Sequence, residues 1–228
     1  MIAKTGHIPY IAREIRQPGK KILRSTFFKR RTGYRLCKRV FDLTFAVLVI
    51  AGILSWLLPL LGLLIKLDSR GPVFFLQRRI GWRGRSFTCY KLRTMIVNGE
   101  ADSCPAAKND HRVTRIGKFL RKSNLDELPQ FFNVLSGSMS LVGPRPYMIA
   151  DCYRFSAMVP DGNFRNHVKP GLTGLAQVRG LHGKWTDYKT VQSRYRLDAF
   201  YVRRACFRMD LRIIYRTCLL FLTQQPPL

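Results

Sequence analysis

The chain has 228 residues, 46% of them hydrophobic, enough for one globular domain with its own core. Forty Lys and Arg against 13 Asp and Glu give a formal net charge of +27, so an anionic partner is expected: nucleic acid, an acidic membrane surface or a phosphorylated substrate. Six dispersed cysteines without a C-x-x-C pair and four dispersed histidines exclude a zinc ribbon, a dense disulfide framework, the usual His-based triads and H-E-x-x-H metal chemistry.

The first residues read as a loose tail. Residues 20–39, KKILRSTFFKRRTGYRLCKR, interleave basic side chains with Phe27, Phe28 and Tyr34. Such a segment suits an anionic leaflet, where each Lys or Arg is worth roughly 1 kcal/mol. From Leu43 to Ile65 the chain then runs LTFAVLVIAGILSWLLPLLGLLI, 23 residues without a charge. At ~1.5 Å per residue that length spans a hydrocarbon core of ~30 Å, so this segment is expected in a membrane. It is not a cleavable signal peptide: it starts too far into the chain, is too long, and has no small-residue cleavage site after it.

Twelve Lys and Arg lie between Lys4 and Arg39, and Lys66, Arg70, Arg78, Arg79, Arg83, Arg85, Lys91 and Arg93 follow the run. Both flanks therefore ask for the cytoplasmic side, which a single straight span does not satisfy. Pro59 has no N–H for the Ser55 carbonyl, and its ring crowds that carbonyl, so the helix is expected to break over Ser55–Pro59. A re-entrant helix–break–helix, dipping into one leaflet and returning, is the expected geometry; a kinked complete span is the alternative.

Beyond the run, no linker or repeat divides the chain, and it is expected to fold as one unit against the membrane. PVFFLQRRIG (72–81) and RSFTCYKLRTM (85–95), joined by WRGR (82–85), predict a β-hairpin. VTRIGKFLRKS (113–123) and LPQFFNVLSGS (128–138) predict helices, the second stopped by Gly137. KPGLTGLAQVRG (169–180) predicts a loop leading to a strand. At the C-terminal end, Phe207, Leu211, Ile214, Tyr215, Cys218, Leu219 and Leu222 form a helical apolar stripe, with Arg204, Arg208, Arg212 and Arg216 on another face. That basic amphipathic helix either packs its stripe on the core or lays it among lipid headgroups.

Asp126 and Glu127 are the one adjacent pair of acids in the sequence, and they stand among cations: Arg121, Lys122, Arg145 and, further off, Lys91 and Arg93. Guanidinium groups grip phosphate oxygens in bidentate fashion, and a carboxylate holds a hydrated divalent cation, so the pattern suits a phosphorylated, metal-bound substrate. Ser123 or Asn124 is expected to cap a helix entering at LDELPQ, with Pro129 in its first turn and the dyad near its N-terminus. An anionic Asp is a competent nucleophile toward phosphorus. Simple capping by an acidic pair is the plainer reading of the same residues.

The order of motifs resembles the bacterial sugar transferase family, the monotopic phosphoglycosyl transferases. The resemblance rests on KRVFDL (38–43), the Pro59 apolar run, IKLDSRGPVFFLQRRIG (65–81), KLRTM (91–95), DHRVTRIGKFLRKSNLDELPQFFNVLSGSMSLVGPRP (110–146), KPGLTGLAQVRG (169–180) and the tail between Arg196 and Thr217. It implies an α/β fold: a membrane-associated monotopic domain with a re-entrant helix–break–helix, amphipathic interface helices and a small sheet. It also implies two regions, a basic N-terminal extension over 1–37 and a transferase domain over 38–228 whose re-entrant helix covers 43–66. The implied activity is transfer of a sugar 1-phosphate from a nucleotide diphosphate sugar, UDP-linked, to polyprenyl (undecaprenyl) phosphate, at the cytoplasmic face of a bacterial inner membrane.

By the same resemblance Asp126 matches the family nucleophile and Glu127 its partner associated with Mg²⁺. Lys91, Arg121 and Arg145 match its substrate-phosphate and structural basic positions and Pro59 its helix-breaking proline; Arg93 is a further candidate for the substrate phosphates, and Ser55 for the helix break. Leu58 stands where the family commonly has Ser, which leaves Ser55 as the nearest hydroxyl. Polyprenyl phosphate, the nucleotide sugar and anionic lipids are the implied partners, nucleic acid is not among them, and a homo-oligomer is compatible. The rival reading is a membrane-tethered basic scaffold for nucleic acid or envelope assembly, which the +27 charge allows. No Walker-type or G-x-G-x-x-G loop supports a nucleotide hydrolase or dehydrogenase.

Overall fold

The computed structural model describes residues 32–97, 110–159, 161–181 and 188–223. The expected tail and most of the N-terminal extension, residues 1–31, lie outside them. Helix α1 covers Thr32–Val49, a π turn Ile50–Leu54, and helix α2 Ser55–Asp68. These form one continuous helical run, the one helix among the described residues long and apolar enough to cross a membrane. Only 22% of its most apolar window is buried, which distinguishes it from the core helix of a soluble domain.

The expected interruption at Ser55–Pro59 takes another form. The chain stays helical through Pro59, and the irregularity lies one turn earlier. Because Pro59 cannot donate to the Ser55 carbonyl, the helix loosens rather than breaks: the Ser55 N–H reaches back five residues to the Ile50 carbonyl. Two side chains then serve carbonyls in the widened turn, with Ser55 Oγ 2.7 Å from Ala51 O and Trp56 Nε1 3.0 Å from Gly52 O.

Both arms of this run rest on the same body. From α1, Ala46 joins the main core with Cys89, Val134, Met139, Val142, Tyr201 and Ile213. From α2, Leu61 and Ile65 pack with Leu92 and Leu120. Between the arms, Val47, Leu48, Ile53, Trp56 and Leu60 are exposed.

The predicted hairpin is present. Strands β1 (Phe74–Ile80) and β2 (Ser86–Leu92) pair antiparallel, Phe74 opposite Leu92 through Ile80 opposite Ser86. Both predicted helices follow, α3 (Arg115–Lys122) and α4 (Gln130–Ser136), the latter ended by Gly137 at φ 84°. Strand β3 (Ser140–Val142) comes next, then β4 (Tyr147–Met148), which adds antiparallel to β1, and helix α5 (Ile149–Met158). The stretch predicted as a loop before a strand itself contains one: β5 (Gly171–Thr173) pairs parallel with β3. This pairing needs two glycines, because a Cβ on Gly143 would strike the Lys169 carbonyl and one on Gly171 the Gly143 amide.

Helices α6 (Tyr188–Arg204) and α7 (Phe207–Thr223) close the chain. Asp210 of α7 is the buried hub that holds α1 in place: it accepts from Tyr34 at 2.7 Å, Lys38 at 3.0 Å and Tyr201 at 2.6 Å. With Asp210 and Ile213 turned inward, much of the predicted apolar stripe faces out: Leu211, Tyr215, Leu219 and Leu222 are exposed, Leu222 to 81%. The stripe is divided: Ile214 packs against the main core, while these four residues do not.

Candidate active site

Asp126 and Glu127 do not begin an α-helix as expected. They lie on a separate 3-10 turn, Leu125–Glu127, entered through Asn124 in the left-handed region at φ 55°. Asn tolerates that conformation better than most residues. Neither Ser123 nor Asn124 caps through its side chain; Ser123 Oγ instead donates to Phe119 O and Leu120 O, ending α3. Pro129 stands at the N-cap of α4, two residues beyond the dyad.

A buried asparagine fixes this turn against the sheet. Asn133 of α4 accepts from the Tyr90 N–H at 2.9 Å and donates to Thr88 O at 2.7 Å, so it bonds to β2 as a neighbouring strand would. Lys91, the next residue on β2, then meets the dyad: its Nζ is 2.7 Å from Glu127 Oε1. From the loop after β3, Arg145 Nη2 lies 2.6 Å from the same oxygen and Nη1 3.2 Å from Oε2. Burial works to raise the Glu127 carboxyl, but the charges of Arg145 and Lys91, and hydrogen bonds from both, hold it well below the usual carboxylate range. It is an anion at any physiological pH.

Asp126 has the opposite environment. Among the described residues its carboxylate accepts no hydrogen bond. Burial raises it above the ordinary aspartate value, with Glu127 adding to the rise and Lys91, Arg121 and Arg145 opposing it. Two adjacent carboxyls thus separate into one locked in ion pairs and one left available beside three cations, a division characteristic of sites with two carboxyl roles. Arg121, at the end of α3, acts on Asp126 by its charge while its Nε donates to Thr94 Oγ1 at 2.8 Å.

Arg93 does not join the cluster. Only 5% exposed, it donates to the carbonyls of Ser69 (2.8 Å) and Arg70. These carbonyls lie just beyond the C-terminal end of α2, so this guanidinium anchors the chain as it leaves that helix rather than offering its terminal nitrogens to a phosphate.

Two arginines that sequence reasoning passed over support Arg145 from behind. Arg79 of β1 donates to Pro146 O at 3.0 Å and to Gln77 Oε1. Arg165 donates to the Arg145 carbonyl, pairs with buried Asp198 at 3.1 Å, and lies 3.6 Å over the Tyr147 ring. Nothing local in NFRNH marks Arg165; its partner is 33 residues away, so the signal is tertiary.

The model of the family described as "Bacterial sugar transferase" matches residues 33–224. The chain is 40% identical over 205 residues to the UDP-glucose:undecaprenyl-phosphate glucose-1-phosphate transferase of Xanthomonas campestris pv. campestris, covering 89% of this chain and 42% of that protein. It is 44% identical over 188 residues to the protein of the same name from Caulobacter vibrioides, covering 82% and 70%. It is 43% identical over 195 residues to the exopolysaccharide production protein PSS of Rhizobium leguminosarum bv. phaseoli, covering 82% and 96%. The chain therefore spans about two fifths of the first relative and nearly all of the third. A match of this extent means that the chain belongs to the bacterial sugar transferase family.

Proposed function

We propose that this protein transfers a sugar 1-phosphate from a nucleotide diphosphate sugar, UDP-linked, to polyprenyl phosphate, through a covalent phosphosugar on Asp126. The observation that carries this reading is the divided dyad: an Asp126 carboxylate that accepts no hydrogen bond among the described residues beside Glu127 locked between Lys91 and Arg145. In the first step an Asp126 carboxylate oxygen attacks the sugar-bearing β-phosphorus. The bond from that phosphorus to the bridging oxygen breaks, and UMP leaves with the electron pair. In the second step an oxygen of polyprenyl phosphate attacks the same phosphorus, the bond to Asp126 breaks, and the free carboxylate returns.

Lys91, Arg121 and Arg145 sit where negative charge accumulates between two anionic reactants, the chief obstacle to this chemistry. Glu127 fixes Lys91 and Arg145 in position and keeps their donors pointed at one place. Mg²⁺ fits the same residues: it is commonly held by one or two carboxylates plus substrate phosphates, and the dyad offers the Asp126 carboxylate, unengaged among the described residues, and Glu127 Oε2, which Arg145 Nη1 approaches only to 3.2 Å. When bound, Mg²⁺ supplies further neutralisation of phosphate charge.

In this reading the transferase domain begins near Lys38 and the helical run is re-entrant. Support comes from both its arms packing on one body, its apolar middle being exposed, and both flanks being basic. The outward stripe of α7 then lies among headgroups on the cytoplasmic face of the inner membrane. Purified protein incubated with a panel of UDP-sugars, polyprenyl phosphate and Mg²⁺ is expected to release UMP with at least one of them. A protein that binds polyprenyl phosphate yet releases no UMP from any sugar nucleotide contradicts the proposal.

A further inference from the structure

Beside the first turns of α1 lies a cavity of about 310 Å³ that shares no lining residue with the Asp126 cluster. Its walls combine the cations Lys38, Arg39 and Lys169 with the apolar side chains of Val142, Val168 and Ala205. Two of these cations are already engaged. Lys38 pairs with Asp210 at 3.0 Å, and Arg39 caps α4, donating to Val134 O at 2.7 Å and Leu135 O at 3.0 Å.

Lys169 differs from both: among the described residues its ammonium has no hydrogen-bond or ion-pair partner. It also sits close to another cation. A Cβ built on Gly137 would lie 3.4 Å from Lys169 Nζ and 3.2 Å from Arg39 Nη2. Burial first, and the Arg39 charge second, hold Lys169 below the ordinary lysine range, with Asp42 opposing. A half-buried ammonium beside a guanidinium, lacking a partner of its own, is an arrangement that a bound anion would relieve.

We propose that this cavity is a second anion site, which takes a phosphate headgroup through Lys169. Arg35, Lys38, Arg39 and Asp42 line it from α1, immediately before the uncharged run that starts at Leu43. Where that run enters the membrane is the level of lipid headgroups, and the apolar walls suit the glycerol and first methylenes of an anionic lipid. This placement rests on the membrane reading of the run and uses nothing of the Asp126 chemistry. A free phosphate offers the same headgroup chemistry without the tail.

The test uses the full chain in nonionic detergent, with Trp56 and Trp185 replaced by Phe so that Trp82, which lines the cavity, reports binding. Dihexanoyl phosphatidate, inorganic phosphate and dihexanoyl phosphatidylcholine are titrated separately. Saturable change with phosphatidate alone identifies a lipid headgroup, and an equal response to inorganic phosphate identifies a free-phosphate site; either supports the proposal if Lys169→Gln weakens binding about tenfold or more. Lys169→Arg, which keeps the charge, is expected to retain affinity within a few-fold. Unchanged affinity in Lys169→Gln, equal binding of phosphatidylcholine, or no saturable response to either anion would overturn it. Asp126→Asn is expected to bind like the parent, so a failure of the catalytic reading and a failure of this one are separable.

Discussion

Arg145 clasps Glu127 with both terminal nitrogens, Nη2 2.6 Å from Oε1 and Nη1 3.2 Å from Oε2, while the neighbouring Asp126 carboxylate accepts no hydrogen bond among the described residues. The fork geometry matters here, because an ammonium cannot reproduce two parallel donors. Arg145→Lys is therefore expected to keep the fold, with an unchanged circular dichroism spectrum, and to slow UMP release by ten- to a hundredfold, on the order of 1–3 kcal/mol. A rate within twofold of the parent would show that the fork is dispensable.

The two carboxyls are expected to respond oppositely to neutralisation. Glu127 is depressed in the folded state, so its stabilisation is present above the unfolded value and is lost as pH falls through the folded one. Glu127→Gln should lower the melting temperature at neutral pH by several degrees, since Lys91 and Arg145 lose their counter-ion. Asp126 is raised, so its ionisation costs stability in full above the folded value, and Asp126→Asn should raise the melting temperature at pH 7, the gain shrinking as pH falls through the folded value and gone below the unfolded one. The catalytic consequence has the same sign. UMP release should rise with pH through an apparent pKa above that of ordinary aspartate.

Arg165 and Asp198 form a buried pair that supports the Arg145 backbone. Removing one partner strands the other charge, so Arg165→Met is expected to cost about 3–5 kcal/mol, measured by thermal unfolding in detergent. Arg165→Met with Asp198→Leu should recover most of that stability. Activity should stay low, because the Arg145 carbonyl still lacks its donor. Full recovery of both would make the pair merely structural.

Much of this was legible beforehand. The hairpin, α3, α4 and the amphipathic C-terminal helix follow from local periodicity and glycine placement, which act over a few residues. Lys91 and Arg145 meet Glu127, and Arg121 lies near enough for its charge to act on Asp126, in keeping with the crowding of cations around scarce acids. What local pattern does not carry is which cation serves which carbonyl. Arg93 looked like Lys91 on paper, yet the end of α2, folded back beside it, took its donors. The same limit explains the dyad's turn: an asparagine in the left-handed region and the Asn133 bonds to β2 set its position, and both depend on tertiary packing. Proline chemistry predicted a break over Ser55–Pro59, whereas the chain stays helical there and the irregularity is a π turn one turn earlier, at Ile50–Leu54.

Topology has a direct reporter, since Cys37 precedes the apolar run and Cys206 follows it, both exposed. In variants that retain only one of them, neither should react with a membrane-impermeant thiol reagent added to intact cells, and both should react after lysis. Labelling of one from outside would establish a complete span. Pro59→Leu restores an N–H for the Ser55 carbonyl and is expected to favour the straighter, spanning form, exposing one of the two.

The most direct test is whether a phosphosugar forms on Asp126 in the absence of lipid acceptor. The parent protein with UDP-sugar and Mg²⁺ should release at most one equivalent of UMP before polyprenyl phosphate is added. Mass spectrometry should place the adduct on the peptide containing Asp126, and Asp126→Asn, nearly isosteric but without an anionic oxygen, should give neither UMP nor adduct. Undiminished UMP release by the Asn variant, or an adduct on a different peptide, would contradict the assignment of Asp126 as nucleophile.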